Sequence, residues 1–376
     1  MALGLSFTLA LFNMISQRAT RVLVILFALK LGAEPFTVGL LAATFALFPM
    51  LLSWPAGKLL DRLGPRWPLT VSAACGACGV LLPFFKPTIT ALFIAAAVSG
   101  LAATFFNLGL QNLVGTLSSA ERRARNYSNF AMVISVANSI GPVLAGSSID
   151  SLGYAITFPF AAAFLLVPSA LLLIWGGVLP EGQRASGPAP GFRNTLTNPR
   201  IWPILAASAI AQSGLELFQV YIPVYANAHG LSATAIGVVI AMCAVGGFGA
   251  RLILPQLMAW LSGERVLAYA LFLGAAAFVA VPFFTTALAL SVIALLFGVG
   301  LNCSQPISMT LMYARSEAGR SGEALGLRFA FDNGARVLGP IVFGLIASVL
   351  GVAAVFWINA ALLGAGGVLT KPGKVP

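Results

Sequence analysis

Six ionisable side chains sit inside long apolar runs of this chain: Arg18, Arg21, Glu216, Arg251, Asp332 and Arg336. At the centre of a membrane helix each costs roughly 2.5–3.5 kcal/mol, so six facing lipid would cost roughly 15 kcal/mol. They must therefore face protein or water. Arg328, Asp332 and Arg336 are spaced four apart, which puts them on one helix face. Asp332 can pair with either arginine. Glu216 has no obvious partner on its own segment, and a lone mid-membrane carboxyl is suited to taking up and releasing a proton. Arginine forks bind carboxylate or phosphate bidentately, and Arg21 and Arg336 come from opposite halves of the chain, as a clamp requires. The plainer readings are that Arg18 and Arg328 snorkel to the surface, that Arg251 is structural, and that the Asp332 ladder is an inert ion pair.

Uncharged polar residues fall into the same pattern. Asn13, Gln17 and Arg21 are four apart, as are Asn107 and Gln111; Gln212, Glu216 and Gln219 follow at i, i+4 and i+7, and Asn302 and Gln305 at i, i+3. These residues, with Arg336, are the candidate lining of a substrate cavity. Glu216, Asp332, Arg328 and Arg336 are the candidate proton-coupling or charge network. Asn359 is expected to make an interhelical hydrogen bond.

The elements that must carry these residues follow from composition. The 376 residues are 59% hydrophobic and 8% charged, with mean hydropathy +0.96. A soluble domain carries about 25% charged residues, so the chain cannot cover a water-facing surface. The long apolar runs predict an all-α membrane protein with twelve spans: 7–30, 37–57, 68–84, 88–115, 127–149, 155–178, 201–227, 232–257, 266–284, 287–313, 323–347 and 352–370. The net charge of +11 does not point to nucleic acid. Its lysines and arginines collect in alternate connections (Lys58, Arg62, Arg66; Arg122, Arg123, Arg125; Arg184, Arg193, Arg200; Arg265; Arg315, Arg320), with Lys371 and Lys374 in the tail. By the positive-inside rule both termini are cytoplasmic. The third, sixth, ninth and twelfth segments hold no ionisable residue among Asp, Glu, Lys, Arg and His.

Residues 179–200 read as a polar, flexible cytoplasmic linker between bundles 1–178 and 201–376. The two bundles repeat. Gly32 and Gly230 are 198 positions apart (230 − 32), and the same offset relates Gly39 to Gly237, Gly100 to Gly298, Gly141-Pro142 to Gly339-Pro340, Gly146 to Gly344, and Leu152-Gly153 to Leu350-Gly351. Internal duplication is a signature of transporter folds, with the site at the repeat interface.

The connection between the second and third segments reads Gly57-Lys58-Leu59-Leu60-Asp61-Arg62-Leu63-Gly64-Pro65-Arg66. This G-x-x-x-D-R-x-G-x-R run resembles the loop signature of the major facilitator superfamily. The resemblance extends over essentially the whole chain through the segment count, the repeat and the alternating polarity. It implies two pseudo-symmetric six-helix bundles with the first, fourth, seventh and tenth helices around the cavity. It also implies a cytoplasmic gate formed by Gly57, Asp61, Arg62, Gly64 and Arg66, with Asp61 meeting the start of the eleventh helix. Pro65 replaces a usual basic residue, and the second half has Ala259 where a copy would place the aspartate. Ala137-x-x-x-Gly141-Pro142-x-x-Ala145-Gly146 resembles the fifth-helix motif of bacterial exporters in the family, with two glycines replaced by alanine. Ala137, Gly141, Pro142 and Gly146, with Gly339, Pro340 and Gly344 in the repeat, are the candidate packing motifs. The basic fourth-helix residue of proton antiporters is not visible; Ala97 and its neighbours occupy that region.

The resemblance implies a bacterial inner-membrane, multi-pass secondary transporter that works by alternating access and is not an enzyme. The leading expectation is proton-coupled efflux of small organic molecules. Carriage of an organic anion by the intramembrane arginines, and a non-transporting receptor on the same scaffold, are the alternatives. The expected partners are the lipid bilayer and a small-molecule substrate, without nucleic acid, in a functional monomer. No cofactor or metal is expected beyond a proton or ion gradient.

Overall fold

The computed structural model describes residues 2–119, 121–180, 202–315 and 321–370; within them the side chains of Trp54, Asp61, Arg123, Ala124, 313–315, 321–327 and Phe329 lie outside the description. Residues 181–200 of the proposed linker, with Arg184, Arg193 and Arg200, also lie outside the described residues, as do Arg320, Lys371 and Lys374. The described chain is helical, without strands: α1 Ala2–Lys30, α2 Pro35–Leu63, α3 Arg66–Phe85, α4 Ile89–Thr116, α5 Arg123–Trp175, α6 Trp202–Ala228, α7 Ala233–Trp260, α8 Gly263–Ala280, α9 Ala287–Leu301, α10 Ser304–Arg315, α11 Ser321–Leu350 and α12 Val352–Thr370. Among the described residues, ten stretches are long and apolar enough to cross a membrane.

The fifth and sixth segments, expected as separate helices, are the two arms of α5, which meet at a kink where Gly153 leaves helical geometry (φ 81°, ψ 166°). A side chain strains this left-handed conformation and glycine does not. The tenth segment, expected as one helix over 287–313, breaks at Asn302 and Cys303. Pro306 has no N–H to offer the Asn302 carbonyl four residues earlier. The Asn302 amide also donates to the Gly298 carbonyl at 3.1 Å, a side-chain bond that competes with the helix ladder.

The chain forms two compact units. Unit 1 holds residues 1–186 together with 232–241; unit 2 holds 187–231 and 242–376. The division therefore passes through α7. In unit 1, α1 packs on both arms of α5 and on α4, α2 packs on α4, and α3 packs on α4 and α5. In unit 2, α6 packs on α11 and α12, and α8 packs on α9 and α12.

The repeat is structural as well as sequential. Gly32 and Gly230 both end a helix with positive φ, at 80° and 77°; Gly153 and Gly351 do so at 81° and 84°. A methyl on Gly100 would meet the Phe45 carbonyl of α2, and one on Gly298 would meet the Cys243 carbonyl of α7. Phe45 and Cys243 are themselves 198 apart (243 − 45). Small residues let these backbones touch, which is how helices gain contact where lipid is as apolar as leucine.

Candidate functional site

In unit 2 the α6–α11 contact contains a closed triad. Ser208 Oγ donates to Asp332 Oδ1 at 2.8 Å, Arg328 Nε donates to Ser208 Oγ at 2.9 Å, and Arg328 Nη2 meets Asp332 Oδ2 at 3.0 Å. Ser208, Arg328 and Asp332 are 4%, 1% and 5% exposed. Arg328 is thus locked beneath its neighbours and does not snorkel. Subtracting 198 gives Ala10, Phe130 and Ile134 as the unit 1 counterparts. Ala10 and Phe130 are buried in one hydrophobic cluster, and Ile134 packs against it. The same helix pair therefore closes once with hydrocarbon and once with charge.

The remaining ionisable candidates are divided between the two units. Arg18 Nε on α1 donates to Asn138 Oδ1 on α5 at 2.7 Å. The repeat counterparts of that pair are Glu216 and Arg336. The surrounding backbones correspond too: a methyl on Gly141 would lie 2.9 Å from the Ile15 carbonyl, and one on Gly339 would lie 3.3 Å from Ser213 Oγ, the residue equivalent to Ile15. Glu216 is 4% exposed; Arg21, Arg251 and Arg336 are half-buried. Arg21 belongs to unit 1 and Arg336 to unit 2.

The polar faces divide into buried and open positions. Asn13 is fully buried, and neither its amide nitrogen nor its oxygen has a hydrogen-bond partner; Gln17 Nε2 and Thr20 Oγ1, one and two turns on, are also unpartnered. Buried polar atoms in native proteins are nearly always paired, with ordered water where no protein atom serves. Asn107, Gln212 and Gln219 are half-buried, and Gln111 and Gln305 are exposed. Asn302 is committed to the Gly298 and Cys243 carbonyls at the α9–α10 break. Asn359 departs from expectation: fully buried beside the position a Gly214 methyl would take, its amide makes no hydrogen bond.

At the charged connection, Gly57 is half-buried and Arg62 exposed, while Gly64 ends α2 with φ 72°. Arg66 Nη2 donates to the Leu173 carbonyl at 3.1 Å, and its guanidinium lies 5.4 Å from the Trp67 ring centroid. Asp61, the expected partner of the eleventh helix, has its side chain outside the described residues. A nearby cavity of about 290 Å³ is lined by Leu59, Trp67, Cys75, Val98 and Phe105, among others. Among the described residues, none of the candidates lines it.

The packing motif on α5 approaches two partners. Buried Ala137 and Gly141 face α1, whereas a methyl on Gly146 would meet the Ala233 carbonyl, and one on Gly237 would meet that of Pro142. Pro142 is buried. In α11, Pro340 and Gly344 are buried and Gly339 half-buried; the Pro340 carbonyl accepts from Tyr221 at 3.0 Å.

Sequence reasoning missed Ser208, Asn138 and Asp150. The first two complete charged contacts 124 and 120 residues away. Comparison of each polar span residue with its repeat counterpart would have raised Ser208, because Ala10 takes its place. Asp150, just past the expected end of the fifth segment, accepts backbone hydrogen bonds from the start of α7.

Comparison with known proteins agrees with the helical architecture. The family model described as Major Facilitator Superfamily matches residues 6–331. Multidrug resistance protein 1 of Bacillus subtilis (strain 168) is 23% identical over 344 residues, covering 90% of this chain and 87% of that one. Quinolone resistance protein NorA of Staphylococcus aureus (strain COL) is 22% identical over 325 residues, covering 84% and 81%. Among solved structures, the nucleoside transporter NupG superimposes with a TM-score of 0.80 at 14% identity, covering 98% of both chains. A peptide transporter, POT, does so with 0.83 at 13% identity, covering 98% of this chain and 93% of that one. The chain is a multi-pass membrane protein, and it belongs to the major facilitator superfamily.

Proposed function

We propose that this secondary transporter exports small organic molecules in exchange for protons, with Asp332 and Glu216 as the proton-carrying groups. One observation carries the reading: the Ser208–Arg328–Asp332 triad stands where the repeat has Ala10, Phe130 and Ile134. The fold closes this helix pair with hydrocarbon in unit 1, so it does not need charge there. A buried ion pair is weak evidence for stability, and apolar replacements of similar volume are often as stable. The charge is then explained by what it can do. Proton uptake by Asp332 discharges the ion pair and loosens Arg328, and proton release restores it. The proton enters from one face of the membrane and leaves to the other, so the cycle uses a gradient and no cofactor.

Export of drug-like molecules is suggested by the relatives' names, multidrug and quinolone resistance proteins, and by the small residues of α5. Twelve spans fit the same reading once the two arms of α5 are counted separately and α6 is added; α9 with α10 forms one interrupted span. Both termini are then cytoplasmic, and a monomer suffices.

A thermal-shift screen of purified protein tests the substrate class. One panel holds lipophilic cations and neutral drugs, the other small carboxylates and phosphates, each at two pH values. A ligand at 100 times its dissociation constant stabilises by about 2.7 kcal/mol. Stabilisation by drugs, stronger at high pH and altered in Glu216→Gln, is expected. Stabilisation by anions alone, lost in Arg21→Ala or Arg336→Ala, would replace the reading with anion carriage. Ligand binding with no flux in liposomes would make the protein a receptor.

A further inference from the structure

Helix α7 begins against α5, and its first donors are satisfied from outside its own segment. Asp150 Oδ1 accepts from the backbone N–H of Ala233 at 3.1 Å, and Oδ2 accepts from that of Thr234 at 2.7 Å. Ser232 Oγ takes the N–H of Ala235 at 3.2 Å, and the Ser232 carbonyl takes that of Ile236 at 3.1 Å. Three orphan N–H groups of the helix start, those of Ala233, Thr234 and Ala235, are thus accounted for, two of them by a carboxylate 83 and 84 residues away. The positive end of the helix dipole favours that anion. Beneath this cap, Gly146 lies against the Ala233 carbonyl and Gly237 against the Pro142 carbonyl, so the two backbones touch over more than one turn. This first part of α7, residues 232–241, clusters with unit 1; the rest of the same helix belongs to unit 2.

The repeat contains no second copy. The residue equivalent to Asp150 is Ser348, whose Oγ donates back to the Gly344 carbonyl of its own helix. The residue equivalent to Ala233 is Pro35, which has no N–H. The cap is therefore a particular feature of one helix pair. Asp150 itself is exposed, and Lys30 reaches the ring of Tyr154, one turn beyond it, at 4.7 Å.

We infer that Asp150 is a positioning residue, a releasable clamp that holds residues 232–241 of α7 on α5 and lets them go once in each transport cycle. A continuous helix cannot stay fixed to one unit while its other half follows the second through alternating access; the capped contact is the bond that must break. This inference rests on the transport reading for its cyclic part and on the geometry alone for the clamp.

Hydrogen exchange of the purified protein tests the clamp without any substrate. Asp150→Asn, and independently Ala233→Pro, which is tolerated at a first helical position, should speed amide exchange across 234–239 at least ten-fold. Exchange in α12 should stay unchanged, and Asp150→Glu should restore most of the protection. Unchanged exchange in both variants would overturn the clamp.

Release is tested in proteoliposomes with Asp150→Cys and Thr234→Cys, the native cysteines at 75, 78, 243 and 303 having been replaced. Bridging the pair with a short thiol-specific linker should stop substrate flux, and reduction should restore it. Flux through the bridged protein equal to that of the reduced form would overturn release while leaving the transport reading intact. If the reduced form carries nothing, the transport reading fails, and hydrogen exchange alone decides the clamp.

Discussion

Replacing the charged triad by the residues its own repeat uses separates structure from function. The substitutions are Ser208→Ala, Arg328→Phe and Asp332→Ile, made together. Each member of the triad is at least 95% buried, so solvent screening does not dilute its energetics. Asp332→Ala alone leaves the Arg328 guanidinium buried without its carboxylate, a loss of about 3–5 kcal/mol. Ser208→Ala alone removes one donor to a carboxylate and one acceptor from a guanidinium, a loss of about 1.5–3 kcal/mol for charged hydrogen bonds. The triple replacement removes the charges together and fills the space with a trio that already packs between α1 and α5. It should therefore be neutral or more stable by about 1–4 kcal/mol, yet inactive in proton-driven transport. Urea or thermal unfolding in a fixed detergent, run beside a flux assay, measures both. If the triple variant is destabilised as much as Asp332→Ala, the triad holds the fold together and its apolar counterpart is no guide to its purpose. If it still couples flux to protons, Asp332 carries none.

Other outcomes follow from single contacts. Glu216→Gln should abolish flux driven by a pH gradient while leaving far-ultraviolet circular dichroism and unfolding temperature near wild type; unchanged coupling would remove Glu216 from the mechanism. Gly298→Ala should destabilise by about 1–3 kcal/mol, the usual cost of overpacking, because its methyl would meet the Cys243 carbonyl. Gly364→Ala, with nothing within 4 Å of the added methyl, should instead stabilise by about 0.5–1 kcal/mol through helix propensity; unfolding of the two variants side by side checks the assigned contacts. Arg21→Lys keeps the charge and loses the fork, so full retention of anion affinity in that variant would end the clamp model of anion carriage.

The sequence showed the architecture where the physics was periodic. Runs of some twenty apolar residues mark helices, and the glycines at 32, 153, 230 and 351 mark the turns because left-handed backbone favours that residue. The polar ladder at 328, 332 and 336 could be placed on one face for the same reason. Features set by a single long-range contact were invisible. Ser208 looks like any tolerated span serine until Arg328 and Asp332 are seen against it. Asp150 sits at a helix edge, where an acid is unremarkable in composition, and only the fold brings the start of α7 to its carboxylate. The break at Asn302 was written in the chain, since Pro306 denies its carbonyl a partner, but the strong hydropathy of the run concealed it. Asn359 shows the limit from the other side: its place within an apolar segment suggested a hydrogen bond that the packing around Gly214 does not provide.

The most direct measurement of the central claim is flux in proteoliposomes with an acidic interior. A lipophilic cationic dye is supplied outside, and proton movement is followed by a trapped pH indicator. Exchange of drug for protons predicts dye accumulation accompanied by interior alkalinisation. Both should be abolished by a protonophore and absent in Asp332→Asn and Glu216→Gln proteins that fold normally. Dye entry that ignores the gradient, or that survives both substitutions, would contradict proton-coupled export.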